Sequence, residues 1–140
     1  MSQPPINNIT RTSNKRVIYT IGHSNVSTER LIDKLMANGI ERLVDVRSNP
    51  YSRWCPQFNR EQLEYELAIN DINYDWRGNN LGGLGVNVDY DKTLKWVYNR
   101  AEYENIALMC SEGDYRKCHR YLTLAPALEQ LGAEIVHISR

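Results

Sequence analysis

The chain has no surplus of charge of either sign: Lys and Arg number 17, and Asp and Glu also 17, among 140 residues. This balance excludes the broad basic footprint that non-specific nucleic-acid binding requires, while leaving room for a local basic pocket. Long apolar runs are missing as well. None approaches the ~20 residues that span a bilayer, and no signal-type apolar segment follows Met1, so a cytoplasmic protein with no membrane partner is expected. Cysteine is scarce and odd in number, three in all, which argues against a disulfide scaffold. Neither Cys-x2-Cys nor His-x3-His spacing occurs, so no cofactor is expected from metal-ligand patterns. Phenylalanine occurs once, against nine tyrosines and three tryptophans. Such amphipathic rings suit stacking on a base or sugar, or a wet interface, besides ordinary packing.

What is present is ordinary for a globular protein: 41% hydrophobic and 24% charged residues, in a length that favours one domain. Residues 1–15 are polar, with paired prolines and no periodicity, and read as a flexible arm. A single α/β domain is expected over 16–140. Val17–Gly22 is a β-prone run. Ser27 is a helix N-cap, Leu31, Ile32, Leu35 and Met36 follow at helical spacing, and Asn38-Gly39 stops the helix. Ile40–Val46 is a second strand. Asn59, with Gln62 as capping-box partner, opens a helix carrying Leu63, Leu67 and Ala68. Ile72–Trp76 is a polar edge strand, and Arg77–Gly85 a glycine-rich loop able to bring backbones close. A helix over 91–104, a strand over 106–109, a helix over 116–131 that Pro126 kinks or restarts, a stop at Gly132 and a strand over 133–138 complete the chain. The alternation predicts a three-layer α/β sandwich: a mostly parallel sheet of about five strands with helices on both faces.

The chemistry gathers around Ala107–Arg120, ALMCSEGDYRKCHR, where an apolar run ends abruptly in polar groups. Each polar cluster follows a strand, and open α/β sheets bind ligands at strand C-termini. Pooling them gives one candidate site. Glu112 and Cys110 are the candidates for acid/base or nucleophilic work, with His119 and His23 assisting. Arg47, Arg53 and Arg120 form a candidate anion clamp, joined by Ser48, Asn25 and Tyr19 as further binding groups. The spacing Cys110-x5-Arg116 resembles a phosphate-binding loop, but Glu112 and Asp114 would set negative charge against the anion. Each group also has a plain structural role: a buried thiol, a surface salt bridge, a hydrogen-bonded imidazole. Three readings follow. The first is an enzyme acting on a small anionic substrate, phosphorylated or nucleotide-like, by glycosyl or phosphoryl transfer, hydrolysis or thiol chemistry. The second is a non-catalytic module binding a nucleotide or acidic partner. The third is a metal-dependent protein with zinc held by Cys110, Cys118 and His119, with His23 or Cys55 brought in by the fold; the missing spacings count against it.

Five motifs stand together in one order: Tyr19-Thr-Ile-Gly-His-Ser24, Leu43-Val-Asp-Val-Arg-Ser48, Pro50-Tyr-Ser-Arg53, Leu81-Gly-Gly83 and Cys110-Ser-Glu112 with Cys118-His-Arg120. The set resembles the domain of unknown function 488 family over residues 17–138. The resemblance implies a compact α/β domain with a shared polar pocket, and supplies no activity. It also implies further chain after the last strand in other members, so that a second copy, in a homodimer, is an alternative source of one pocket wall.

Overall fold

The computed structural model describes residues 15–84, 86–113, 116 and 118–139, and of residues 119–122 the backbone alone. All of the expected arm except Lys15 lies outside them. Five strands form one sheet: β1 (Arg16–Gly22), β2 (Arg42–Asp45), β3 (Asn73–Trp76), β4 (Ile106–Cys110) and β5 (Ala133–Ile138). The helices are α1 (Thr28–Ala37), α2 (Arg60–Ile69), the short α3 (Gly78–Leu81), α4 (Tyr90–Arg100) and α5 (His119–Leu131), with a 3-10 turn at Pro56–Phe58. The strand order is β3-β2-β4-β1-β5. Every pairing is parallel. β3 lies at an edge, as its polar sequence leads one to expect.

Strand alternation divides the apolar side chains between two layers. Ile106, Leu108 and Cys110 of β4 join Leu94, Val97, Leu124 and Leu128 of α4 and α5. Ala107 and Met109 join Leu31, Leu35, Leu63 and Leu67 of α1 and α2 on the other face. Burial on both faces is what makes β4 apolar at every position.

Local signals act largely as written. The Ser27 side chain accepts the Arg30 N–H at 3.1 Å and caps α1. Gly132 ends α5 in the left-handed region, at φ 114°. Three expectations change. The stretch expected as a loop over 77–85 contains the short helix α3, Gly78–Leu81. Asn59 precedes α2 but makes no side-chain cap. Its Oδ1 accepts the Ser52 N–H at 2.8 Å instead, and Gln62 turns to Glu66. The capping box is forgone because the side chain is committed to the preceding loop. Pro126, expected to kink or restart the last helix, starts no second one: α5 runs from His119 through it to Leu131. Leu124, Ala125 and Leu128 beside it are buried, and that packing offsets one forfeited backbone hydrogen bond.

At the end of β1 the chain needs glycine for space. A Cβ on Gly22 would stand 1.7 Å from the backbone oxygen of Glu112. Gly22→Ala is expected to cost about 3 kcal/mol or more, since the obstacle is backbone that must move. A urea denaturation midpoint unchanged from wild type would contradict this close approach.

Candidate ligand-binding site

β2, β4 and β1 are neighbours, so the polar residues that follow them meet at one edge. The ladder continues past the strand ends: His23 N–H donates to Cys110 O, Ser24 N–H to Ser111 O and Val46 N–H to Met109 O, each at 3.0 Å. The chain leaves β2 toward β3 through the α2 layer, and leaves β4 toward β5 through the α5 layer. Adjacent parallel strands whose connections depart in opposite directions open a crevice at their C-terminal ends. Here the crevice is a polar hollow of about 390 Å³. Its lining comes from all three strand ends: His23, Ser24 and Asn25 after β1, Arg47, Ser48, Asn49, Tyr51, Ser52 and Cys55 after β2, and Ser111 after β4; Leu84 completes it.

Its floor is a buried ion pair. Asp45 is fully buried and Arg47 nearly so. Alternation puts i and i+2 on one side of extended chain, and Arg47 closes back on Asp45: Nε donates to Oδ1 at 2.9 Å and one terminal nitrogen to Oδ2 at 2.7 Å. Asp45 also accepts the Arg47 backbone N–H at 3.1 Å and the Tyr74 hydroxyl at 2.6 Å. The same Arg47 nitrogen donates to Phe58 O at 2.8 Å. Burial opposes the charge on Arg47, but the Asp45 carboxylate outweighs it and raises the pKa. Burial likewise raises that of Tyr74, reinforced by the Asp45 charge. The guanidinium therefore stays charged and the phenol stays protonated.

His23 is the fourth member. Its ring packs on Phe58, centroids 4.6 Å apart. Burial lowers its pKa to about 4; a hydrogen bond to Ser24 O resists the shift and the Arg47 charge adds to it. The imidazole is neutral at neutral pH. Nδ1 lies 2.5 Å from Ser24 O, and a carbonyl only accepts, so Nδ1 carries the hydrogen. Nε2 then presents its lone pair to the remaining terminal nitrogen of Arg47, at 3.4 Å.

The wall beside Arg47 is set by glycine. A Cβ on Gly78 would stand 1.9 Å from Arg47 O, and one on Gly82 2.2 Å from the Ser48 hydroxyl. The Trp76 indole donates to Arg47 O at 2.8 Å, and the Leu84 N–H to Ser48 Oγ at 3.0 Å. The glycine-rich loop thus serves close backbone approach.

A second, smaller cavity of about 30 Å³ lies on the α5 side of the sheet edge, lined by Gly22, Cys110, Glu112, Gly113, Cys118 and apolar side chains of α5 and β5. The candidate residues divide between the two. His23, Asn25, Arg47 and Ser48 share the polar hollow. Cys110 and Glu112 line the smaller cavity, because Cys110 points to the α5 face while Ser111 turns to the hollow. Arg53 is exposed and lines neither. Tyr19 packs on the α1 and α2 core. The side chains of His119 and Arg120, and all of Asp114, lie outside the described residues. Among the described residues no three His, Cys, Asp or Glu side chains are grouped to hold a metal, and no helix is long and apolar enough to cross a membrane. Ser24, Asn49, Ser52 and Ser111 line the hollow without having stood out in the sequence as binding groups, Cys55, expected only as a candidate metal ligand, lines it too, and Asp45 and Tyr74 support it. Only Asp45 had a readable signal, its i,i+2 spacing from Arg47.

The family model described as "Domain of unknown function DUF488" matches residues 27–105. The match covers β2 and the loop that follows it, and stops just before β4. Comparison with curated proteins and with solved structures finds no match.

Because burial holds the His23 pKa below its ordinary 6.5, at about 4, the unfolded chain binds the extra proton first. Stability from neutral His23 is complete above pH 6.5 and is lost as pH falls toward 4, by ~3 kcal/mol in full. Urea denaturation at pH 7 and pH 4 should show wild type losing about that much more than His23→Gln; equal losses would contradict the neutral, buried imidazole.

Proposed function

The chain belongs to the domain of unknown function DUF488 family, and on that premise we propose that its polar hollow binds a small anionic molecule, phosphorylated or nucleotide-like, as substrate. The observation that supports this most is the convergence of three strand ends on one crevice floored by Arg47. The Asp45 carboxylate engages one edge of the guanidinium, through Nε and one terminal nitrogen, while the terminal nitrogen facing His23 makes a 3.4 Å contact. That nitrogen is the cationic donor for an anionic group. The Ser24, Ser48, Ser52 and Ser111 hydroxyls and the Asn25 and Asn49 amides supply neutral hydrogen bonds for the rest of the ligand. Since Arg47 is already neutralised by Asp45, the hollow suits an anion of low charge held by many weak donors rather than an electrostatic clamp.

Hydrolysis or group transfer is the reaction class we assign, with the hollow as the place where substrate is held. His23 Nε2 is an uncharged acceptor at its inner end, and Cys55 is the thiol on its lining. A binding module without catalysis is the second reading. It is favoured by one observation, the position of Cys110 and Glu112 on the other cavity.

Thermal-shift measurement with nucleotides and sugar phosphates tests the binding. A ligand at 100 times its Kd should add ~2.7 kcal/mol. Ser111→Trp, an exposed position on the lining, should abolish the response without lowering the apo Tm. Cys110→Ser and Glu112→Gln should leave affinity within about twofold, since both residues line the other cavity. A response that survives Ser111→Trp undiminished, or none from any anion tried, would refute the proposal.

A further inference from the structure

The two buried thiols form a pair that the ligand hollow does not use. Cys110 ends β4 and Cys118 is the N-cap residue of the thirteen-residue α5. Their sulfurs lie 3.2 Å apart, with the residues 8% and 4% exposed. A disulfide needs ~2.05 Å, so the sulfurs must close by little more than ~1 Å. Beside them is the cavity of about 30 Å³, lined by both sulfur-bearing residues. A void of that size holds a water-sized molecule. Gly22, Glu112, Gly113, Leu124 and Leu128 form part of its remaining wall, and the Cys110 thiol also donates to Glu112 O at 3.5 Å.

We propose that Cys110 and Cys118 are a peroxide-reactive dithiol, a reversible redox modification site that joins the C-terminal end of β4 to the N-terminal end of α5. The oxidant is hydrogen peroxide or a hydroperoxide of similar size. The Cys118 thiol gives up its proton and its sulfur attacks one peroxide oxygen. An S–O bond forms, the O–O bond breaks, and the departing hydroxide takes the proton as water. Negative charge on the attacking sulfur develops at a helix N-terminus, where it is favoured. Cys110 then attacks the Cys118 sulfenic acid: the S–S bond forms, the S–O bond breaks, and hydroxide leaves with the Cys110 proton as a second water. Two thiols lose two electrons in all, and one peroxide becomes two waters. A dithiol such as dithiothreitol reverses the change by exchange.

The site stands apart from the ligand hollow, so its test is independent of that reading. The full chain is treated with hydrogen peroxide, then denatured, its thiols are counted and its peptides mapped by mass spectrometry. Of the three thiols, two should disappear together, with a Cys110–Cys118 link inside one chain, and dithiothreitol should restore both. Cys55→Ser, which alters the remaining and partly exposed thiol, should give the same link at the same rate. Cys110→Ser should accumulate a dimedone-trapped sulfenic acid at Cys118, and Cys118→Ser should slow oxidation of Cys110 at least tenfold. Survival of both thiols at peroxide concentrations that oxidise Cys55, or links formed only between chains, would overturn the proposal. The wild-type map alone decides this if a variant fails to fold.

Discussion

The Asp45–Arg47 ion pair is the constraint from which the candidate site is built. Two opposite charges with almost no exposure are costly to desolvate, and they are tolerated only when their hydrogen-bonding capacity is nearly filled. Filling it draws in the rest of the edge. Tyr74 on β3 donates to Asp45, the carbonyl of Phe58 receives Arg47, and His23 at the end of β1 offers Nε2. The chain's single phenylalanine earns its place here: Phe58 is fully buried, packs on the His23 ring and turns its backbone oxygen to the guanidinium. Removing either charge would strand the other, and with it the packing of three strand ends. The hollow above therefore has a floor fixed by electrostatics rather than by a mobile side chain.

The sheet then acts as a partition. Successive residues of an extended chain face opposite ways, so Cys110 and Ser111 go to different compartments although they are adjacent. The polar hollow receives hydroxyls, amides and the guanidinium. The α5 side receives two thiols and apolar packing. This separation gives each compartment its own groups: hydroxyls, amides and a guanidinium around the crevice, and two thiols among apolar side chains around the smaller cavity. Glycine keeps the two close, because Gly22 lets the backbone of Glu112 cross the end of β1 in direct contact.

Much of the fold was readable because both periods were clean. Leu31, Ile32 and Leu35 follow a helical repeat, and β4 reads as an unbroken apolar run that only a doubly covered strand tolerates. The site was readable only as a collection of strand-end residues. Asn59 illustrates why local pattern runs out: an N-cap sequence with a glutamine three residues on is a good capping box, yet the side chain holds Ser52, a residue of the hollow. Arg47 illustrates the same limit for charge. An arginine after a strand reads as an anion clamp, and here its partner two residues earlier takes two of its five donors.

The sequence by itself determined the α/β alternation, the family and the strand ends that bear polar groups, because those depend on spacing along one chain. Tertiary structure decided the strand order, which brings the ends of β1, β2 and β4 together, and the sheet face to which each side chain turns. It also decided that Arg47 is paired, that His23 is neutral and that Cys110 lies beside Cys118. Those properties depend on distance and desolvation between residues far apart in the chain, and neither quantity is encoded in local spacing.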